Sequence, residues 1–232
     1  MLRAPNSQFS TIGPGSLSER LSAWQRRRMF QRFLDATAIR PEESLLDVGA
    51  TSDQTYDSSN YVEAWYPHKD RITAVGVDDA AFLEARYPGV RFVRADGLDL
   101  PFADRSYDVA HSSAVLEHVG SAEDQTRFIA ELGRVAARAV FLTTPNRWFP
   151  VEFHTVLPLV HWLPKPMFRR LMRGTGNGFF AEEANLNLLG AAELGRLARQ
   201  ALPAAAFSVQ VTSVALGGWP SNLLLTALRR ST

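Results

Sequence analysis

The sequence has no cysteine, and its charges almost cancel. Without cysteine, this chain of 232 residues can form no disulfide, thiolate nucleophile or cysteine-ligated zinc site. Its 25 basic and 24 acidic residues give a formal net charge of +1. Because a dedicated nucleic-acid-binding protein neutralises many phosphates with basic side chains, we expect no nucleic-acid partner.

Long apolar segments are also missing. No window of about 18 residues is both strongly apolar and free of charge, so the sequence predicts no transmembrane helix. Residues 1–6 show no apolar segment of a secretory signal, and a cytoplasmic protein is therefore expected. The length and the 46% of hydrophobic residues are typical of one large globular domain.

Neither of the glycine-rich loops that bind nucleotide phosphates is present. The loop after the first predicted strand reads Gly49-Ala50-Thr51-Ser52-Asp53, with one glycine where the dinucleotide fingerprint needs three. The chain also contains no G-K-[ST] of a P-loop. These absences argue against NAD as the cofactor.

Short apolar runs alternate with helical stretches in the middle of the chain. The predicted strands cover residues 44–49, 72–78, 90–96, 107–112 and 138–144. The clearest helix between them spans 122–137, and such alternation predicts βαβ units in a parallel sheet with helices on both faces. Two further strands, 207–214 and 222–228, have a short connection without a helix, so we expect this pair to be antiparallel.

The ends of the chain differ in composition from its middle. Residues 1–17 are rich in serine, proline, glycine and asparagine and are predicted to be a flexible lead-in. A first helix is expected over 18–38, with Ser18 as its N-cap. Residues 18–232 then form a single domain, with a lid-like insertion at about 147–185.

Acidic and small residues follow the predicted strands at the edge where open parallel sheets bind ligands. The residues at these strand ends are Asp47, Gly49, Ala50, Asp78, Asp79, Asp96, Gly97, His111 and Ser112. Each aspartate alone is explained equally well as a turn former or a helix N-cap. Three such ends together suit a ligand with hydroxyl and amino donors, such as an adenosine joined to an amino acid.

These residues resemble the class I S-adenosylmethionine-dependent methyltransferases, and most closely their type 11 subgroup, which acts on small molecules and lipids. The resemblance rests on four runs in order: L-L-D-V-G from Leu45, V-G-V-D from Val75, D-G-x-x-L-P-F from Asp96, and L-E-H-V from Leu116. It implies a Rossmann-like α/β fold with a seven-stranded sheet, mostly parallel with an antiparallel last strand.

The resemblance also implies S-adenosylmethionine as the cofactor and a role for each strand end. Asp47, Gly49 and Ala50 would follow its methionine half, and Ser112 would face the sulfonium. Asp78, with Asp79 beside it, would accept hydrogen bonds from the ribose hydroxyls. Asp96 and Gly97 would hold the adenine edge.

The chain departs from the family pattern in three places. Its glycine loop is reduced, and Asp47 and Asp78 are 31 positions apart where about 20 is usual. The additional residues of this interval include Tyr56, Asp57, Asn60, Tyr61 and Trp65, and they are expected to form a lobe over the site. Some relatives bind a divalent metal through a Glu-x-x-Glu-His run. Here Ala114 takes the first position, so no such metal site is predicted.

The segment after the fifth strand supplies the candidate catalytic residues. Glu152, His154 and His161 could each serve as the general base that deprotonates an acceptor. The alternative is a hydrophobic lid whose histidines are merely satisfied polar groups, and a zinc site of these three residues is disfavoured by their spacing. The basic and apolar residues of 165–173 suit an ordinary amphipathic helix, a lid over a lipid-like substrate, or a peripheral membrane contact.

The favoured function is a methyltransferase for a small-molecule or lipid-like acceptor. Two alternatives stay open: a non-catalytic binding module that has kept the fold, and an NAD-dependent oxidoreductase. Cofactor binding distinguishes the three hypotheses.

Overall fold

The computed structural model describes residues 17–54, 56, 58–152, 154–155 and 157–230. Nearly all of the predicted lead-in, residues 1–17, lies outside these ranges. The first helix begins at Leu17, so Ser18 is the second residue of the helix. The prediction that Ser18 is the N-cap is therefore wrong.

Seven strands form one sheet in the order β3-β2-β1-β4-β5-β7-β6. The strands are β1 (Leu45–Val48), β2 (Ile72–Gly76), β3 (Arg91–Arg94), β4 (Tyr107–Ser113), β5 (Ala136–Pro145), β6 (Phe207–Leu216) and β7 (Trp219–Arg229). β1 to β5 are parallel, and β7 runs antiparallel to both of its neighbours, β5 and β6. The predicted mostly parallel sheet with an antiparallel last strand is confirmed.

Six α-helices accompany the sheet in the described part of the chain. They are α1 (Leu17–Thr37), α2 (Tyr61–Trp65), α3 (Phe82–Arg86), α4 (Ala122–Val135), α5 (Lys165–Arg173) and α6 (Ala191–Ala201). Ser121 and Asp124 form a capping box that starts α4, since each side chain bonds the backbone N–H of the other residue. None of these helices is long and apolar enough to cross a membrane.

Each face of the sheet is covered by its own hydrophobic core. On one face α4 and α6 pack against the strands, and Phe128, Ile129 and Leu132 of α4 are fully buried there. On the other face α1, α2 and α3 pack around Phe33 and Phe141. The two-sided burial explains why successive residues of β1 and β2 are all buried instead of alternating with exposed ones.

The additional residues between β1 and β2 join the main core instead of forming a separate lobe. Tyr61 is buried beside Phe30 of α1, and Trp65 packs against both rings. The predicted lobe is therefore wrong for Asn60, Tyr61 and Trp65, because their aromatic rings and amide find partners under the sheet. Asp57 lies outside the described residues.

Residues 146–190 connect β5 to α6 and contain a small core of their own. A bridge between Asn146 and Leu189 brings the two ends of this connection together. Phe168 and Met172 of α5 pack against Phe180 inside it. This compact segment lies next to the carboxyl end of β5, where an acceptor substrate is expected.

Candidate active site

Gly49 lets the chain turn sharply at the end of β1. Its φ of +117° is in the region that favours glycine, and a Cβ atom here would overlap Val115 Cγ2. The N–H groups of Gly49 and Ala50 both donate to the carbonyl oxygen of Val75 on β2, at 2.8 Å. The backbone at the predicted cofactor edge is therefore held by the neighbouring strand.

Asn60 takes over the ordering of the loop that lacks the usual glycines. Its Oδ1 accepts from the Thr51 N–H at 2.9 Å, and its Nδ2 donates to the Thr51 carbonyl oxygen at 3.0 Å. The Asp53 N–H donates to Thr51 Oγ1 at 3.1 Å. Both Thr51 and Asn60 are buried, so these bonds are shielded from water. The reduced glycine loop is thus ordered by a side-chain amide.

We expect Asn60→Ala to speed amide hydrogen exchange at Thr51 by about tenfold or more. The variant loses two buried hydrogen bonds, each with a net contribution of about 1 kcal/mol. Ser52→Ala is a matched control, since Ser52 lies in the same loop and is only partly buried. Exchange at Thr51 that is equally slow in Asn60→Ala would show that the amide does not order the loop.

Asp78 follows β2 with a half-buried carboxylate that has no hydrogen-bond partner in the described part of the chain. The neighbouring Asp79 is more exposed, and its Oδ1 accepts from the N–H of Ala81 at 3.0 Å. Asp78 is therefore free to accept hydrogen bonds from a ligand, whereas Asp79 serves at least as a turn former.

Asp96 and Gly97 form the turn after β3. The exposed Asp96 accepts from the N–H of Leu98 at 2.9 Å. A Cβ atom on Gly97 would overlap Phe128 Cε2 of α4, so only glycine allows the turn to lie this close to the helix. The predicted adenine-binding edge thus rests directly on the hydrophobic core.

Asp47 turns its carboxylate away from solvent into a buried polar cluster. Its Oδ1 accepts from His111 Nδ1 at 2.5 Å, and His111 Nε2 accepts from the Tyr61 hydroxyl at 3.0 Å. Burial raises the pKa of Asp47 to about 7 and lowers the pKa of His111 to about 4. Burial and the nearby Asp47 charge also raise the pKa of Glu63 well above its usual range.

Ser112 lies within β4, which continues one residue beyond the predicted strand, to Ser113. The Ser112 side chain is fully buried, and its Oγ has no hydrogen-bond partner among the described residues. A role facing the sulfonium stays a prediction.

The three candidate catalytic residues have different surroundings. Glu152 is buried and accepts from both the backbone N–H of His154, at 2.9 Å, and its Nδ1, at 2.6 Å. Hydrogen bonds and the charge of His154 overcome desolvation and lower the pKa of Glu152 to about 2, while Glu152 raises the pKa of His154. His161 Nε2 instead donates to the Phe149 carbonyl oxygen at 2.7 Å, while its buried Nδ1 has no hydrogen-bond partner among the described residues.

His154 lies next to Glu117 and His118 of the 3₁₀ helix Leu116–His118, which follows β4. The His118 and His154 rings are perpendicular, with centroids 4.8 Å apart. Glu117 and His118 belong to the L-E-H-V run on which the family resemblance partly rests. Nothing in the local pattern indicates that a residue 36 positions later completes the cluster.

Residues 46–142 match the family model of the methyltransferase domain. Two curated proteins of Mycobacterium tuberculosis strains, each named a probable S-adenosylmethionine-dependent methyltransferase, are 36% identical over 81 residues. The alignment covers 33% of this chain, and the chain spans only 28% of the length of these relatives.

Solved structures with the same fold cover nearly all of the chain. A magnesium protoporphyrin IX methyltransferase of Synechocystis, solved with bound SAH, has a TM-score of 0.58 and 14% identity, covering 94% of this chain and 90% of its own. An S-adenosylmethionine-dependent methyltransferase of Mesorhizobium loti also has a TM-score of 0.58 and 14% identity, with coverages of 87% and 98%. The [4+2]-cyclase SpnF has a TM-score of 0.59 and 13% identity, with coverages of 95% and 85%. Since one of these proteins is named as a cyclase, the fold alone does not specify the reaction.

Residues 46–142 are thus similar to the methyltransferase domain, and the sheet order is consistent with the fold of the solved methyltransferase structures. The two curated relatives and the Mesorhizobium loti protein are named as S-adenosylmethionine-dependent, and the Synechocystis structure contains SAH.

Proposed function

We propose that this protein transfers the methyl group of S-adenosylmethionine to a small-molecule or lipid-like acceptor. The observation that carries the proposal is Asp78, a partly exposed carboxylate at the end of β2 with no hydrogen-bond partner among the described residues. A carboxylate in this position can accept from both ribose hydroxyls of the cofactor.

The other predicted cofactor residues follow the same edge of the sheet. Gly49 and Ala50 present a backbone that can approach the methionine half closely, since a side chain at Gly49 is excluded by Val115. Asp96 and Gly97 would hold the adenine. Asp47 would contribute to the methionine half from beneath the cofactor-binding edge of the sheet, where its carboxylate is hydrogen-bonded to His111.

The acceptor is proposed to bind between the 3₁₀ helix Leu116–His118 and residues 146–190. His154 is the residue that activates it, because its Nδ1–H is held by Glu152 and, in the neutral ring, its Nε2 carries the lone pair. Glu152 is a positioning residue in this scheme. His161 is a weaker candidate, since its Nε2 bonds the backbone.

Exposed apolar side chains around the insertion support a lipid-like acceptor or a contact with a membrane surface. Trp148, Leu159, Met167, Phe179 and Trp219 are each more than 40% exposed. The basic side chains of α5 give little further support for a membrane contact, because three of them are already in salt bridges within the protein. The pairs are Lys165–Glu193, Arg169–Glu183 and Arg173–Glu182.

We expect purified protein to bind S-adenosylmethionine and S-adenosylhomocysteine in calorimetric titrations, and Asp78→Ala to weaken binding by at least about tenfold. Losing hydrogen bonds to a charged acceptor accounts for this size of effect. Asp70→Ala is the matched control, since Asp70 is an exposed carboxylate just before the opposite end of β2.

Three results would contradict the proposal. Folded protein that gives no heat with either ligand would favour a non-catalytic module. Heat with NAD instead would favour an oxidoreductase. Equal affinities of the Asp78→Ala and Asp70→Ala variants would exclude Asp78 as the ribose acceptor.

A further inference from the structure

Three side chains with metal-binding atoms meet where the loop after β4 faces the insertion. Glu117, His118 and His154 each offer one ligand atom, and these atoms lie within 4.8 Å of one another. Glu117 is fully buried, while His118 and His154 are partly exposed, with 12% and 13% of their side-chain surfaces accessible. Glu117 is therefore shielded from solvent, whereas the two histidines are accessible to a small ligand.

Both imidazole rings present a lone pair at Nε2. His118 Nδ1 lies 2.7 Å from the carbonyl oxygen of Asn185, which can only accept, so Nδ1 carries the hydrogen. His154 Nδ1 donates to the Glu152 carboxylate at 2.6 Å. A backbone carbonyl and a carboxylate are the partners that orient metal-binding histidines in proteins.

Glu117 has one carboxylate oxygen without a hydrogen-bond partner. Its Oε2 accepts from Thr144 Oγ1 at 2.9 Å, which fixes the orientation of the group. Its Oε1 is buried and has no hydrogen-bond partner in the described part of the chain. The distance from this Oε1 to His118 Nε2 is 3.9 Å, too long for a hydrogen bond. Two lone pairs and an unpartnered oxygen therefore converge, an arrangement that a cation would satisfy.

We propose that Glu117, His118 and His154 bind a divalent transition metal ion of the zinc type. Two nitrogen ligands disfavour Mg²⁺ and Ca²⁺, which prefer oxygen. The sequence predicted no metal because Ala114 replaces a carboxylate of the Glu-x-x-Glu-His run. The structure supplies a third ligand from a different loop, His154 after β5.

Three protein ligands leave one tetrahedral position open for a water or for an acceptor's oxygen. This part of the inference rests on the proposed function. A hydroxyl bound there would have a lowered pKa and would release its proton to water. In the metal-loaded protein the lone pair of His154 is a ligand, so His154 would act on the acceptor through the metal and not as a free base.

The test is a metal titration of the full chain after chelator treatment and dialysis. We expect one equivalent of Zn²⁺ to bind in calorimetry, Mg²⁺ to give no heat, and Co²⁺ to give visible absorption bands. Glu117→Gln, His118→Gln and His154→Gln should each weaken Zn²⁺ binding by at least about tenfold, and Glu152→Gln by about 10–100-fold. His68→Gln, a histidine outside the cluster, should leave Zn²⁺ affinity unchanged.

Folded wild-type protein that binds no Zn²⁺ would overturn the proposal, as would Zn²⁺ affinity unchanged in all three ligand variants. If a ligand variant fails to fold, Glu152→Gln and the Co²⁺ spectrum of the wild type still test the site. Titration of the metal-free protein with S-adenosylhomocysteine separates the two proposals. Loss of that binding contradicts the proposed function alone, whereas absent Zn²⁺ binding contradicts the metal site alone.

Discussion

Replacing Phe128 with alanine is expected to lower the free energy of unfolding by about 3–5 kcal/mol. The ring is fully buried in the core between α4, α6 and the sheet. It also lies directly against Gly97, where any side chain would overlap Cε2. Truncation would leave a cavity beneath the Asp96–Gly97 turn. Gly97 has no side chain that could fill this cavity, and the hydrogen-bonded strands of the sheet cannot shift into it.

Urea denaturation of the wild type and the variant measures this loss. Phe179→Ala is the matched control, since it removes the same atoms from a residue that is 42% exposed, and it should change stability by less than about 1 kcal/mol. Similar losses in the two variants would show that the Phe128 core does not dominate the stability of the domain.

Glu63→Gln should stabilise the protein at pH 8 and have little effect at pH 5. The Glu63 carboxyl is fully buried, and burial with the Asp47 charge raises its pKa well above the usual range. A raised pKa in the folded state means that stability is greatest at low pH and is lost as pH rises through the folded pKa. At pH 8 the wild type carries this penalty, whereas the glutamine does not.

The expected gain at pH 8 is several kcal/mol, the usual size of a desolvation penalty for one buried ion. Urea denaturation at pH 5 and pH 8 measures the gain, and the exposed Glu123→Gln is the control. A gain that is the same at both pH values would exclude titration of Glu63 as its cause.

The strands were predicted within a few residues because their signals are local. In the predicted run 72–78, residues 72–76 are buried on both faces of the sheet, so their composition indicates the strand without reference to the rest of the chain. The ends of helices and strands were predicted less accurately where one element passes directly into the next. The predicted helix 122–137 ends at Val135, since Ala136 already pairs with Tyr107 as part of β5.

The candidate site was only partly predictable. Asp78 could be named from its position after β2, because parallel strands place their carboxyl ends along one edge. Asn60 gave no such signal, since its effect depends on the two backbone bonds that it makes to Thr51. The interval around Asn60 therefore suggested a separate lobe, although it packs under the sheet.

The alternation of strands and helices, the strand-end carboxylates and the absence of a phosphate loop were all readable from the sequence, because each depends on neighbouring residues. The partners of the buried groups depend on folding. Glu117 and His118 follow β4 and His154 follows β5, and the two loops meet because these strands pair in parallel. Asn185, 67 residues from His118, then determines which imidazole nitrogen carries the lone pair.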